Sequence, residues 1–138
     1  MRRFEIVEGR EVVWGWLEGG SDPTAPTIAA INTFGAPSKN IPARDTVTPT
    51  VQIVAGAVSE MAVAAGRDIA AGRDPSGLLE GLALVIEAEH REQIRAFNSP
   101  GNAPSTIAKK GRDDPLIGAD GAGRILKGAS AEVRSTEG

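Results

Sequence analysis

The sequence predicts an α+β fold in which an antiparallel β-sheet packs against an antiparallel helical hairpin, with long Gly/Pro-rich arms. Two runs rich in β-branched and aromatic residues lie close together near the N-terminus, and two amphipathic segments with helix-start signals follow. Many of the 17 glycines and 9 prolines fall in the stretches between and after these elements. With 138 residues, the chain has the size of one structural domain, residues 1–138.

The first element is a predicted β-hairpin. Residues 3–8 and 11–17 favour strands, and the two-residue connection Gly9-Arg10 between them is typical of a tight hairpin turn. Trp14 and Trp16 lie two positions apart, so they share one face of the second strand. They either cover one side of the sheet or form an exposed aromatic anchor at a partner interface.

The next stretch is the least regular part of the N-terminal half. Residues 18–27 have the composition of a loop, and residues 35–47 show no helical period. Between them, the apolar residues 27–35 are predicted to form a third strand, with a short helix as the alternative.

Two helices joined as a hairpin are predicted next. Thr48 is expected to cap the first, with Pro49 at its first position, and Asp74 and Pro75 repeat that signal for the second. Apolar residues recur at spacings of three and four through both segments. The connection Gly72-Arg73-Asp74 is short, so the two helices must run antiparallel.

A long Gly/Pro-rich and charged arm is expected over residues 98–123. It is far longer than an ordinary loop, which indicates a functional segment or one ordered by a partner. We expect the arm to become ordered only on assembly with neighbouring subunits. Residues 124–134 are predicted to form a last strand.

Composition excludes several classes of protein. The chain has no Cys, which rules out disulfide scaffolds, thiol catalysis and Cys-based zinc sites, and His90 is its only histidine. No apolar run is expected to reach the length of a membrane span, and the N-terminus lacks the apolar core of a secretory signal. A cytoplasmic protein is therefore expected. The acidic middle, with two basic and seven acidic residues over 45–90, favours docking onto proteins over general nucleic-acid binding.

Few residues suggest chemistry. His90 could act as a general base with Glu87 as its orienting carboxylate, and Asp113 and Asp114 could serve a small hydrolase or nuclease. No nucleophile or oxyanion hole accompanies them, and a structural histidine and solvated turn carboxylates are the favoured interpretation. The basic cluster 109–112 is too short to carry DNA affinity alone. No catalytic, cofactor-binding or metal-binding residue is predicted.

Two blocks of sequence carry a family resemblance. The first is Ile31-Asn32-Thr33-Phe34-Gly35 followed by Ile41-Pro42-Ala43-Arg44. The second is Ser99-Pro100-Gly101-Asn102-Ala103-Pro104-Ser105-Thr106-Ile107-Ala108-Lys109-Lys110-Gly111, then Asp114-Pro115-Leu116-Ile117 and Arg124-Ile125-Leu126. Together they resemble the tail-component or tail-completion (neck) proteins of tailed bacteriophages and the related Mu-type virion morphogenesis proteins. The chain departs from that pattern at Thr33, where an acidic residue is usual, and at Asp45-Thr46, where Pro-Phe is usual.

The resemblance implies a non-enzymatic virion subunit that forms an oligomeric ring, with hexameric and dodecameric rings both compatible. Its implied partners are other neck and tail proteins, namely the connector, the tail terminator and the tail tube, with DNA at most passing through the lumen and no membrane partner. It implies assembly in the host cytoplasm and no cofactor. The implied subunit-interface candidates are Phe34, Gly35, Ile41, Pro42, Arg44, Thr106, Lys109, Lys110, Arg112, Pro115, Leu116 and Arg124.

Overall fold

The computed structural model describes residues 2–7, 9–19, 23–39, 42–97 and 123–136. Its elements, in chain order, are β1 (Arg2–Val7), β2 (Arg10–Trp16), α1 (Ala25–Phe34), a 3-10 turn (Pro37–Lys39), α2 (Val47–Ala70), α3 (Ser76–Ala96), α4 (Gly123–Gly128) and β3 (Ala129–Ser135). The predicted α+β class, with an antiparallel sheet and a helical hairpin, is confirmed. The predicted arm over residues 98–123 lies almost wholly outside the described residues.

The sheet is three-stranded and antiparallel, in the order β1-β2-β3. β1 and β2 form the predicted hairpin, whose turn places Gly9 at φ 82°, a left-handed conformation that glycine adopts without steric cost. β3, from the far end of the described chain, pairs with the other edge of β2 and brings Val133 opposite Val12. The central strand is therefore paired on one side with its neighbour in sequence and on the other with a strand from the far end of the described chain.

One face of the sheet packs against α2 and α3. Val12 and Trp14 of β2 are fully buried there, in a cluster that includes Val54 of α2 and Leu79 and Ile86 of α3. Leu79 and Ile86 lie seven residues apart on α3, which is nearly two helical turns, so they share one face of that helix. The interpretation of the tryptophans as cover for one side of the sheet is confirmed for both Trp14 and Trp16, which is 9% exposed.

A second apolar cluster lies at one end of the sheet. Trp16 packs there with Ala25 and Ala29 of α1 and Ile125 of α4. The Trp16 indole N–H donates a buried hydrogen bond to the Ile125 carbonyl oxygen at 2.8 Å, so α4 is tied to β2 by a specific polar contact. The buried residues that α1 contributes to this cluster are both alanines, and their small side chains let α1 and α4 approach closely.

The free edge of β3 is covered by side chains from α3. The Arg91 guanidinium donates two hydrogen bonds to the Ala129 carbonyl oxygen, at 3.1 and 2.9 Å, and the Ala131 N–H donates to the Glu87 carboxylate at 3.2 Å. An unpaired strand edge is a template for aggregation, and these contacts occupy its backbone groups. Glu87 is therefore engaged with β3 and does not orient His90.

One strand prediction is wrong, and another is right only in its second part. Residues 27–34 belong to α1, which is the alternative of a short helix, because Pro26 at the start and Gly35 after the last residue provide helix signals and Ala25 and Ala29 pack as one helical face. The first part of the predicted strand 124–134 forms α4, so strand structure begins only at Ala129. Both segments are short and apolar, a case in which periodicity alone does not separate helix from strand.

The helix starts are shifted from their predicted positions. α2 begins at Val47, and the Asp45 carboxylate accepts hydrogen bonds from the Val47 and Thr48 backbone N–H groups, so Asp45 replaces Thr48 as the capping side chain. α3 begins at Ser76, one residue after Pro75. The predicted cap residue Asp74 still accepts the Ser76 N–H at 3.0 Å.

α2 is more apolar than expected. Among the described residues it alone is long and apolar enough to cross a membrane by length and composition, and 11% of its most apolar 18-residue window is buried. The expectation that no segment reaches that length is therefore wrong for α2. The low buried share of that window shows that this helix exposes much of its apolar surface.

Candidate functional site

The described residues of the first family-like block are joined by backbone hydrogen bonds. Residues 31–35 end α1, where Gly35 adopts φ 76° and donates its N–H to the Ile31 carbonyl oxygen at 2.8 Å. The Arg44 N–H then donates to the Asn32 carbonyl oxygen, with an N···O distance of 2.5 Å. The two stretches that carry this block are therefore in direct contact, although a turn and the residues around position 41 separate them.

Phe34 is the most exposed large apolar side chain of this element. It is the last residue of α1 and is 79% exposed. A scattered exposed apolar residue is ordinary, but this aromatic ring stands on the rim of a groove of about 510 Å³. The groove is lined by Arg2, Trp16, Pro26, Ala30, Thr33, Phe34, Asp45, Val47, Thr48, Val51 and Gln52. Its walls come from β1, β2, α1 and the first turns of α2.

The charged side chains at the groove are Asp45 and Arg2. Burial raises the pKa of the Asp45 carboxyl, but hydrogen bonds from Thr48 and Val47 and the nearby positive charge of Arg2 outweigh it, so the pKa is lowered overall. Asp45 is therefore ionised at neutral pH. Its carboxylate accepts the hydrogen bonds that cap α2. The apolar side chains of the lining therefore provide most of the binding surface of the groove.

Arg44 and Pro42 complete the described part of the first block. Pro42 is exposed, whereas Arg44 is half-buried and burial lowers the pKa of its guanidinium. Arginine remains charged at neutral pH despite such a shift.

The remaining candidates from the sequence cannot be placed. Arg124 lies in α4, and nothing is described of its side chain. The other candidates lie outside the described residues: Ile41, Thr106, Lys109, Lys110, Arg112, Pro115 and Leu116. Asp113 and Asp114, the carboxylates considered for hydrolysis, also lie outside them.

His90 occupies the core, at the junction of the two apolar clusters. It is 1% exposed, and its ring packs edge-on against Trp14 and Trp16, with centroid distances of 5.1 and 4.8 Å. Its Nε2 lies 3.0 Å from the Thr46 hydroxyl, which ties α3 to the start of α2. Burial lowers its pKa to about 4, while the negative charge of Asp45 partly opposes the shift. In this conformation the ring contacts no solvent and cannot reach a substrate.

Within the described ranges, no group of three or more His, Asp or Glu side chains is arranged to hold a metal ion. His90 Nδ1 and Trp14 Nε1 are buried there without a hydrogen-bond partner, but the rings around them leave no donor set for a cation.

No family model, curated protein or solved structure matches the chain. What the protein does is therefore inferred from its own residues and their placement. The resemblance in residues 31–35 and 41–44 adds to that inference, because Thr33 and Phe34 line the groove and Arg44 is joined to Asn32 by a backbone hydrogen bond.

Sequence reasoning missed two features of the surface. The groove was not predicted, because it combines Trp16 of β2 with residues of α1 and α2 that lie far apart in the chain. The exposed apolar residues on the outer side of the hairpin, such as Val85, were not predicted either. A second run of apolar residues on the hairpin, away from the first stripe, is the sequence signal for that face.

Proposed function

We propose that this chain is a structural subunit of a tailed-bacteriophage virion, a head–tail joining or tail-completion (neck) protein that forms an oligomeric ring. The observation that carries this proposal is the placement of Phe34, 79% exposed at the rim of an apolar groove. Exposed aromatic side chains beside apolar pockets are typical of protein–protein contacts. The same element contains the family-like residues 31–35 and Arg44.

A ring requires two different surfaces on every subunit. Head-to-tail contacts are heterologous, so a protruding group on one subunit must fit a recess on the next. Phe34 at the end of α1 provides a protruding ring, and the groove beside it provides a recess with Trp16 and Val51 in its walls. The proposed partners are further copies of this chain and the connector, terminator and tail-tube proteins of the particle.

The enzymatic alternative, a small hydrolase or nuclease that uses His90, has less support. A general base needs contact with the substrate and a pKa near the working pH, whereas His90 is 1% exposed and its pKa is lowered to about 4. Glu87, the proposed orienting carboxylate, accepts a hydrogen bond from β3. A structural role for these side chains fits the geometry better.

Complementation of particle assembly tests the proposal. Deleting the gene in the phage or prophage that encodes it should leave heads and tails that do not join, and the wild-type gene should restore infectious particles. Phe34→Asp should fail to restore them, because a charge at the groove rim opposes apolar contact, whereas Phe34→Leu should succeed. Because Phe34 is exposed, both variants should melt within a few degrees of wild type.

Two results would contradict the proposal. Normal yields of infectious particles without the gene would exclude an essential joining role. Full activity of a well-folded Phe34→Asp variant would exclude the assigned surface, because substitution there must disturb any contact that uses the groove.

A further inference from the structure

The outward face of the α2–α3 hairpin exposes large apolar side chains from both helices. Ile53 and Val63 of α2 and Leu84 and Val85 of α3 are each more than half exposed. Because α2 and α3 pack side by side, these side chains belong to one outward-facing layer on the side away from the sheet. An exposed layer of this kind is typical of an interaction surface.

Two opposite charges lie in this layer, on α2. Glu60 and Arg67 are exposed, on either side of Val63 along the helix. Seven residues separate them, which corresponds to about 10 Å of helix rise, so they cannot pair with each other. Among the ion pairs of the described residues, neither takes part. Seven residues are nearly two full turns, so both charges project from the same flank of α2.

We propose that a second copy of this chain covers the hairpin face, with the two α2 helices antiparallel about a two-fold axis between Val63 and Ala64. In that arrangement, a residue that lies a given number of positions before the axis faces the partner residue that lies the same number of positions after it. Glu60 of one copy then lies opposite Arg67 of the other, and the symmetry creates this pair twice. The two-fold rotation keeps the flank that carries Glu60 and Arg67 on the same side of the contact in both copies, so the opposite charges face each other.

The residues around the axis suit close contact between helices. Gly56 is exposed, with open space where a side chain would lie, and Ser59 is exposed one turn later. At the axis the partner's Val63 lies beside Val63 of the first copy, and the small residues Gly56 and Ser59 on the same face of α2 let the two helices approach closely. The contact would bury apolar groups at its centre and place the charge pairs at its edge, as in ordinary protein interfaces.

The same charges make a lipid bilayer a poorer occupant of this face. α2 is long and apolar enough to span a membrane. However, Glu60 and Arg67 lie within the helix, and burying two separated charges in hydrocarbon is costly without partners. A second copy supplies both partners at once. This two-fold contact uses a surface different from the Phe34 groove, and it does not rest on the proposed virion role.

Sedimentation equilibrium on the purified full chain tests the proposal. Wild type should sediment at twice the 14.3 kDa chain mass at micromolar concentrations. Glu60→Arg or Arg67→Glu alone should raise the dimer dissociation constant about tenfold, because each change turns two attractive pairs into repulsive ones. The double variant, E60R with R67E, should restore the wild-type constant, and an equimolar mixture of the single variants should form heterodimers.

Glu5→Arg, a charge reversal on an exposed residue of β1, is the matched control and should leave the dissociation constant unchanged. Val63→Asp should give a folded monomer, with folding followed by circular dichroism.

A wild-type protein that remains monomeric at 100 µM would overturn the proposal. So would a dimer that neither single charge reversal weakens, or one that the double variant fails to restore. Binding to phospholipid vesicles without self-association would assign the face to a membrane instead.

Discussion

The burial of His90 is expected to lower the stability of the fold at acidic pH. The buried ring has a pKa of about 4, below the usual histidine pKa of 6.5, chiefly because burial penalises its charged form. The unfolded chain therefore binds a proton more readily than the folded chain between these two values. Stability is fully present above about pH 6.5 and falls as the pH drops towards 4. For a shift of this size, the loss between pH 7 and pH 5 is about 2 kcal/mol.

The assay is urea denaturation followed by tryptophan fluorescence at pH 7 and pH 5. Other titrating groups contribute as well, so the informative quantity is the difference between wild type and a variant that cannot titrate at this position. His90→Phe keeps a ring between Trp14 and Trp16, and His90→Gln keeps a polar group near Thr46. Either variant is expected to lose about 2 kcal/mol less than wild type over this range.

Equal losses in wild type and both variants would refute the reasoning about His90. NMR gives a second, direct readout, because the chain contains a single histidine and its ring signals need no assignment. A ring that titrates near pH 6.5 and exchanges freely with solvent would contradict the buried position and would strengthen the enzymatic alternative.

Two further predictions concern packing and the sheet edge. Gly128→Ala should destabilise the protein by about 1–3 kcal/mol in urea titrations, because its Cβ would lie 2.9 Å from Ala25 Cβ. Gly81→Ala, the control in the interior of α3, has nothing within 4 Å of the added Cβ and should stabilise the protein by about 0.5–1 kcal/mol; a larger loss for Gly81→Ala than for Gly128→Ala would contradict the close approach of Gly128 to Ala25. Arg91→Met should lower the free energy of unfolding by about 1–3 kcal/mol, because the Ala129 carbonyl oxygen loses both of its hydrogen bonds from Arg91. The same variant should speed amide hydrogen exchange in β3. Unchanged exchange would contradict a role of Arg91 in protecting this strand edge.

The helical hairpin is predictable because its information is local. The buried residues Val54, Ala65, Leu79 and Ile86 recur at helical spacing, and Gly72 between the helices adopts φ 75°, as a short turn requires. The β-hairpin is predictable for the same reason, since the turn at Gly9 adjoins both of its strands. In such elements neighbours in sequence determine the structure.

α1 and α4 are not predictable in this way, because partners distant in sequence decide their packing. The face of α1 that carries Ala25 and Ala29 packs with Trp16 and Ile125, and α4 is held by the hydrogen bond from the Trp16 indole. Short apolar segments fit a strand or a helix about equally well until those partners are known.

The candidate site was predictable only in part, for the same physical reason. Phe34, Gly35 and Arg44 are identified by the family-like pattern, but the groove beside them forms only when β2, α1 and α2 come together. Likewise, His90 meets Thr46 across 44 positions of sequence, so its burial and lowered pKa are properties of the tertiary structure.

The number of copies of this chain in purified virions tests the central claim most directly. Particles from the phage or prophage that encodes it, purified by density gradient, can be analysed by quantitative mass spectrometry and by electron microscopy with an antibody against the chain. A ring subunit of the neck predicts a fixed number of copies per particle, such as six or twelve, with label at the head–tail joint. Absence of the chain from infectious particles would contradict the claim.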